Sequence, residues 1–160
     1  MRLQTKPNRW SCFATAMAMA LDIPVADFFK LLGHDGGEIV YPSLAEPWCR
    51  AGIHPQEAID VVWKLYRSAT PFEYQPQSIN FPDEALRPRN VLFREGNVER
   101  FMARANGGVG VIECVTRNHT GHAVAFDHGY IFDPDGHEYD WHGLEERGLQ
   151  PIRLWRIEAR

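Results

Sequence analysis

Gly121-His122-Ala123-Val124-Ala125-Phe126-Asp127-His128-Gly129-Tyr130-Ile131-Phe132-Asp133-Pro134 reads as two strands folded on a tight turn. Residues 122–126 and 130–133 carry strand formers, and Asp127-His128-Gly129 supplies the turn chemistry between them. With His128-Gly129 as a two-residue turn, Asp127 faces Tyr130 and Val124 faces Asp133. His122, two residues from Val124, then shares a sheet face with Asp133, diagonally across. With Asp127-His128 as the turn, His122 stands directly opposite Asp133. Both registers bring an imidazole and a carboxylate to one face, since diagonal neighbours are about 7–8 Å apart and long side chains span that distance. A three-residue loop without a bulge breaks this parity.

Outward from the hairpin, 109–115 is apolar and β-branched, and 151–157 closes the chain as a final strand. Upstream the pattern is helical. Helices are expected over 12–21, over 25–32 between Pro24 and Gly33, and over 44–51 with Pro47 in the first turn. Another is expected over 55–66, where Ala58, Ile59, Val62, Trp63 and Tyr66 fall on one face and read as core. A last helix spans 97–105, with Asn97 as cap and Asn106-Gly107-Gly108 as exit. Residues 70–90 are rich in Pro, Gln and Asn, an irregular connection with an edge strand near 72–75. Helices first and an antiparallel sheet second predict an α+β fold in one domain over 1–160. Its parts are a helical region 1–69, a connection 70–96, and a helix plus sheet over 97–160.

The 160 residues are 44% hydrophobic with a net charge of −4, and the basic residues are scattered. That argues against nucleic acid as the main partner. No apolar run approaches the ~20 residues of a membrane span, and residues 1–7 lack the apolar core of a secretory signal. The cysteines, Cys12, Cys49 and Cys114, form an odd and sparse set that fits reduced thiols in a cytoplasmic or other reducing compartment; a Cys49–Cys114 bridge stays open.

The stretch Asn8-Arg9-Trp10-Ser11-Cys12-Phe13-Ala14-Thr15-Ala16-Met17-Ala18-Met19-Ala20-Leu21 sets a cysteine just inside the start of an Ala- and Met-rich helix. Asn8 or Ser11 is expected to cap it, which puts the Cys12 sulfur at the positive end of the helix dipole. Free cysteines are usually small buried hydrophobes; it is the His122/Asp133 pair that offers this one chemistry. A carboxylate accepting from one imidazole nitrogen fixes the ring's tautomer, and the other nitrogen can take a thiol proton. Cys12, His122 and Asp133 thus supply nucleophile, base and orienter. For the oxyanion donor, Gln4 acting with the Cys12 backbone N–H is the best upstream candidate, and Asn8 is the second.

Competing readings exist for several of these residues. His119-Thr120-Gly121-His122, with Asp127, His128 or His137, has a spacing able to hold a metal, but not the set of four, or three plus water, that zinc takes. A polar turn accounts for His119 and His128, so neither metal nor cofactor is expected. His34-Asp35-Gly36-Gly37 reads as a solvated connection between helices, with a rim of the cleft as the second reading. Asp133-Pro134-Asp135-Gly136 is a turn signal, which gives Asp133 a structural reading beside its chemical one.

Gln4, Asn8, Trp10, Ser11 and Cys12 at a helix start, then Gly121-His122 on a strand and Asp133-Pro134 ending the next, resemble papain-like cysteine peptidases. The nearest likeness is to the compact bacterial peptidase C39-like group. The resemblance implies a nucleophile helix packed on an antiparallel sheet, a Cys12–His122–Asp133 triad with Gln4 at the oxyanion, and hydrolysis of a peptide or other amide bond through a Cys12 thioester. A peptide or protein substrate is the implied partner. The chain departs from the group in the wider gap from Gln4 to Cys12 and in Phe13, where Gly often follows the nucleophile. Two alternatives stand beside this. One is a catalytically silent papain-like binding or structural module, such as a virion or toxin-associated component, its cleft plugged by 70–90. The other is an NlpC-type cell-wall amidase, in which a His usually fills the orienter's place.

Overall fold

The structure, a computed structural model, describes residues 1–37, 52–73 and 97–159. In chain order the elements are α1 (Cys12–Ala20), α2 (Val25–Leu32), α3 (Pro55–Lys64), β1 (Arg67–Glu73), α4 (Asn97–Asn106), β2 (Val109–Val115), β3 (Gly121–Asp127), β4 (Tyr130–Asp133), β5 (His137–Tyr139), α5 (Trp141–Glu146) and β6 (Gln150–Ala159). The strands form one antiparallel sheet in the order β1-β6-β2-β3-β4-β5. The fold is α+β, as the order of patterns predicts. No single helix among the described residues is long and apolar enough to cross a membrane.

The β3–β4 hairpin takes the first of its two expected registers, with Asp127 opposite Tyr130, Phe126 opposite Ile131 and Ala125 opposite Phe132. His128 and Gly129 are both left-handed, at φ 50° and 92°. Two such residues make the turn whose twist matches that of paired strands. Alternation then divides the sheet's surroundings. Ala123, Ala125, Val111 and Trp155 join α1, α2 and α3 in one apolar cluster. Val124, Phe126, Ile112, Ile131 and Leu154 join Phe101 of α4 and Leu144 of α5 in the other.

Helix α1 is apolar on every side, and Ala14, Ala16, Met17, Ala18 and Met19 are fully buried. Such a helix belongs inside a protein, and the small Ala123 and Ala125 let it lie close to β3. Helix α2 stops at Gly33, which caps it at φ 95° with its N–H on the Phe29 carbonyl, a conformation that costs glycine little.

Several expectations are corrected. Trp63 and Tyr66 are 56% and 80% exposed, and the buried stripe of α3 is Ala58, Val61 and Val62. The helix ends at Lys64, Tyr66 turns the chain at φ 56°, and β1 begins directly after it. The two aromatics therefore sit at a helix-to-strand corner, outside the core. The edge strand starts earlier than 72–75, and β5 and α5 were not foreseen. The helix over 44–51 and Cys49 lie outside the described residues, while Cys114 is a buried free thiol.

Candidate active site

His122 Nε2 lies 2.9 Å from Asp133 Oδ1. The hairpin register explains the meeting, since His122 sits two positions before Val124, on the face that Asp133 shares. Asp133 is only 3% exposed. Its Oδ1 also accepts from the Asp135 N–H at 2.9 Å, and its Oδ2 accepts from the Tyr139 hydroxyl at 2.7 Å. One carboxylate thus both closes the Asp133–Asp135 turn and holds the imidazole. Burial works to raise the Asp133 pKa, but the bonds from His122, Asp135 and Tyr139 outweigh it and hold the group down to about 2. For His122, burial disfavours the charged ring, yet hydrogen bonds to Asp133 and to Cys12 push its pKa up to about 9. Tyr139 is pushed up by burial and by its bond to the Asp133 carboxylate.

With Nε2 engaged by Asp133, Nδ1 is the nitrogen left for Cys12. Cys12 and His122 line one cleft of about 230 Å³, together with Trp10, Phe13, Gly52, Ile53, Pro55, Glu113, Cys114, Val115, Gly121, Ala123 and Ile152. One wall comes from the starts of α1 and α3, the other from the ends of β2, β3 and β6. Ala123 faces α1, while His122 has the opposite parity and sits one residue inside the strand end. Both line the cleft because it lies where the sheet stops. A bulge helps to shape it. Glu113 pairs with Arg153 but Cys114 with Pro151, leaving Ile152 as the extra residue of β6, and Ile152 lines the cleft. Bulges commonly re-aim a side chain in this way.

Neither expected cap of α1 forms. Ser11 occupies the N-cap position without a side-chain cap bond; its Oγ donates to the Asn8 carbonyl at 3.0 Å. The Asn8 Oδ1 accepts from the Trp10 N–H at 2.9 Å. Among the described residues, the first-turn N–H groups, that of Cys12 included, are therefore left without a side-chain acceptor at a helix end that borders the cleft.

The structure does not bring Gln4 or Asn8, the expected oxyanion donors, to the cleft lining. Gln4 Nε2 donates to the Ile23 carbonyl at 2.8 Å, and Gln4 Oε1 accepts from the Val25 N–H at 2.8 Å. Pro24 precedes α2 and has no side-chain oxygen with which to cap it, and Gln4 does so from 21 residues away. Both polar ends of Gln4 are thereby used at the α1–α2 turn. Asn8 Nδ2 donates to the Asp35 carbonyl and carboxylate at 3.2 and 3.3 Å.

His34-Asp35-Gly36-Gly37 is solvated only at Asp35 and Gly37. The His34 side chain is 7% exposed and lies 3.6 Å from Glu57, its Nδ1 accepts from the Gly36 N–H, and the Gly36 carbonyl accepts from Gly52 of the cleft wall. His119 and His128 are turn residues with positive φ. His122, Asp133 and Asp135 bring ligand atoms within 4.8 Å of one another, but Asp133 already holds His122, and Asp135 pairs with Lys6.

Tyr139, Glu113, Cys114 and Ile152 belong to the site and were not singled out as site residues from sequence. The signal for Tyr139 was present. Asp133 pairs with His137 across the β4–β5 turn, so a tyrosine two residues on shares the Asp133 face. Cys114 stands directly opposite His122, and its thiol is pushed up by burial and by the charge of Asp133, which keeps it protonated and inert beside Cys12. No protein-family model matches the chain and no curated protein matches it, so its own residues and their geometry carry the functional reading.

Proposed function

We propose that the chain is a papain-like cysteine hydrolase that cleaves a peptide or other amide bond through a Cys12 thioester. The observation that carries the reading is His122 held on buried Asp133 through Nε2 while it lines one cleft with Cys12. A Cys–His pair oriented by a third group is the arrangement that activates a thiol. The Cys12 thiolate attacks the carbonyl carbon, and the carbonyl electron pair moves to oxygen, near the uncapped first-turn N–H groups of α1. Collapse expels the amine, which takes the His122 proton, and leaves the thioester. Water then gives a proton to His122 as its oxygen attacks the thioester carbon. The carbon–sulfur bond breaks, the acid leaves, and the thiolate–imidazolium pair is restored.

Asp133 in the orienter's place favours this reading over an NlpC-type amidase, where a His is usual. Of the segment 70–90 considered as a plug, residues 70–73 belong to β1 and are not among the residues lining the cleft, and 74–90 lie outside the described residues. The test is iodoacetamide labelling at pH 6 followed by mass spectrometry, alongside hydrolysis of a peptide library. Cys12 should label well ahead of Cys49 and Cys114, His122→Ala should slow that labelling about 10²-fold or more, and Cys12→Ala should end hydrolysis. Labelling of Cys12 no faster than Cys49 would favour a binding module.

A further inference from the structure

We infer that Glu113 makes this cleft a receptor for a cationic side chain, so that preferred substrates carry a lysine or arginine beside the scissile bond. The inference rests on the cleft being the substrate site proposed above. Glu113 stands on β2 opposite Ala123 and Arg153, and is the one carboxylate among the described lining residues. Around it the walls are Trp10, Phe13, Ile53, Pro55, Val115 and Ile152, apolar surface that suits the methylene stem of a long basic side chain. A volume of about 230 Å³ is small beside drug-sized pockets, and matches one or two residues of a peptide.

The charge of Glu113 is incompletely compensated. Its Oε1 accepts from the Trp155 indole N–H and lies 3.6 Å from Arg153 Nη1. Arg153, however, makes its closer contact, 2.6 Å, with Glu73. Two carboxylates share one guanidinium, which leaves a net charge of −1. Among the described residues no hydrogen bond or ion pair engages Glu113 Oε2, and the side chain keeps 17% of its exposure. A cation entering the cleft thus meets an anion in apolar surroundings, where a charge-assisted hydrogen bond is stronger than in water.

The test separates binding from chemistry. In the Cys12→Ala protein, acetylated tripeptide amides with central lysine or norleucine are titrated by NMR, with the Trp155 indole N–H as reporter because it bonds to Glu113. The lysine peptide should bind about tenfold tighter or more, with the Trp155 signal moving. In the Cys12→Ala, Glu113→Gln protein, whose amide can still accept from Trp155, that ratio should fall close to one. Equal affinities in the first protein, or a lysine preference that persists in the second, would overturn the assignment. The hydrolase reading is judged separately by Cys12 labelling. An unreactive Cys12 with an intact lysine preference would remove the hydrolase and leave the receptor.

Discussion

Along β3 and β4 polar side chains meet each other; along residues 1–11 Gln4, Asn8 and Ser11 bond mainly to backbone. His122 and Asp133 alternate into a shared face and close on one another at 2.9 Å. Gln4 closes on the backbone of residues 23 and 25, and Asn8 on Trp10 and Asp35. Met1 pairs through its ammonium group with Asp127, and Lys6 with Asp135. The N-terminal segment thus ties the hairpin to the helical layer. A paired strand has its backbone groups satisfied by its neighbours and can release side chains for chemistry. An irregular segment has no such ladder, so side chains must complete the backbone's hydrogen bonds.

The largest effect should come from the hairpin. Asp133→Asn removes the charge that holds His122 protonated and should lower turnover about 10²-fold. The His122 pKa of about 9 makes the imidazolium, which protonates the leaving amine in the proposed reaction, available until pH rises through that value. Without the carboxylate charge, burial dominates and the pKa falls, so the alkaline limb of the pH–rate profile should move to lower pH. Stability should follow the same proton. Protonated His122 stabilises the fold fully below its ordinary 6.5, and the contribution is lost as pH rises through about 9. In Asp133→Asn that loss between pH 6.5 and 9 should shrink. A variant with both profiles unchanged would make Asp133 a turn residue only and erase the difference between the two regions.

Gln4→Ala should act on stability. It strips partners from the Ile23 carbonyl and the Val25 N–H, both partly buried, at about 2–4 kcal/mol for the two. Urea unfolding measures this. Turnover at a temperature where the variant stays folded should remain within about threefold of wild type. A loss of 10²–10³, the cost of removing an oxyanion donor, would return Gln4 to the site.

The same contrast explains what could be read from sequence. A period of two converts the spacing of His122, Val124 and Asp133 into a face, and the structure keeps one of the two registers that spacing allowed. Parity also reached Tyr139, but the short β5 after Asp-Pro-Asp-Gly carries little strand signal. Gln4 and Asn8 had only nearness in sequence to Cys12, and local hydrogen-bond demand decided their partners. Tyr66 lies past the end of α3, and Trp63, inside it, falls off the buried stripe of Ala58, Val61 and Val62. Glu113 could not be distinguished from a solvated charge until β6 placed Trp155 and Arg153 against it.

The finest test concerns the third bond to Asp133. Tyr139→Phe deletes the hydroxyl that donates to Oδ2 at 2.7 Å and keeps the ring that packs under Arg147, 4.8 Å away. Asp133 retains His122 and the Asp135 N–H, so turnover should fall only a few-fold. With one of three stabilising bonds gone, the Asp133 pKa should rise from about 2 towards its ordinary 3.8. A depressed carboxylate pKa contributes stability that is complete above the unfolded value and is lost as pH falls through the folded one. The variant should therefore be less stable than wild type by about 1 kcal/mol at pH 7, and the gap should narrow as pH drops towards 2. Urea unfolding across pH 2–7 measures it. A gap that stays constant at every pH would mean the hydroxyl contributes packing alone and does not act through the Asp133 charge. The carboxylate that orients His122 would then be held by the ring and by the Asp135 N–H, with no help from β5.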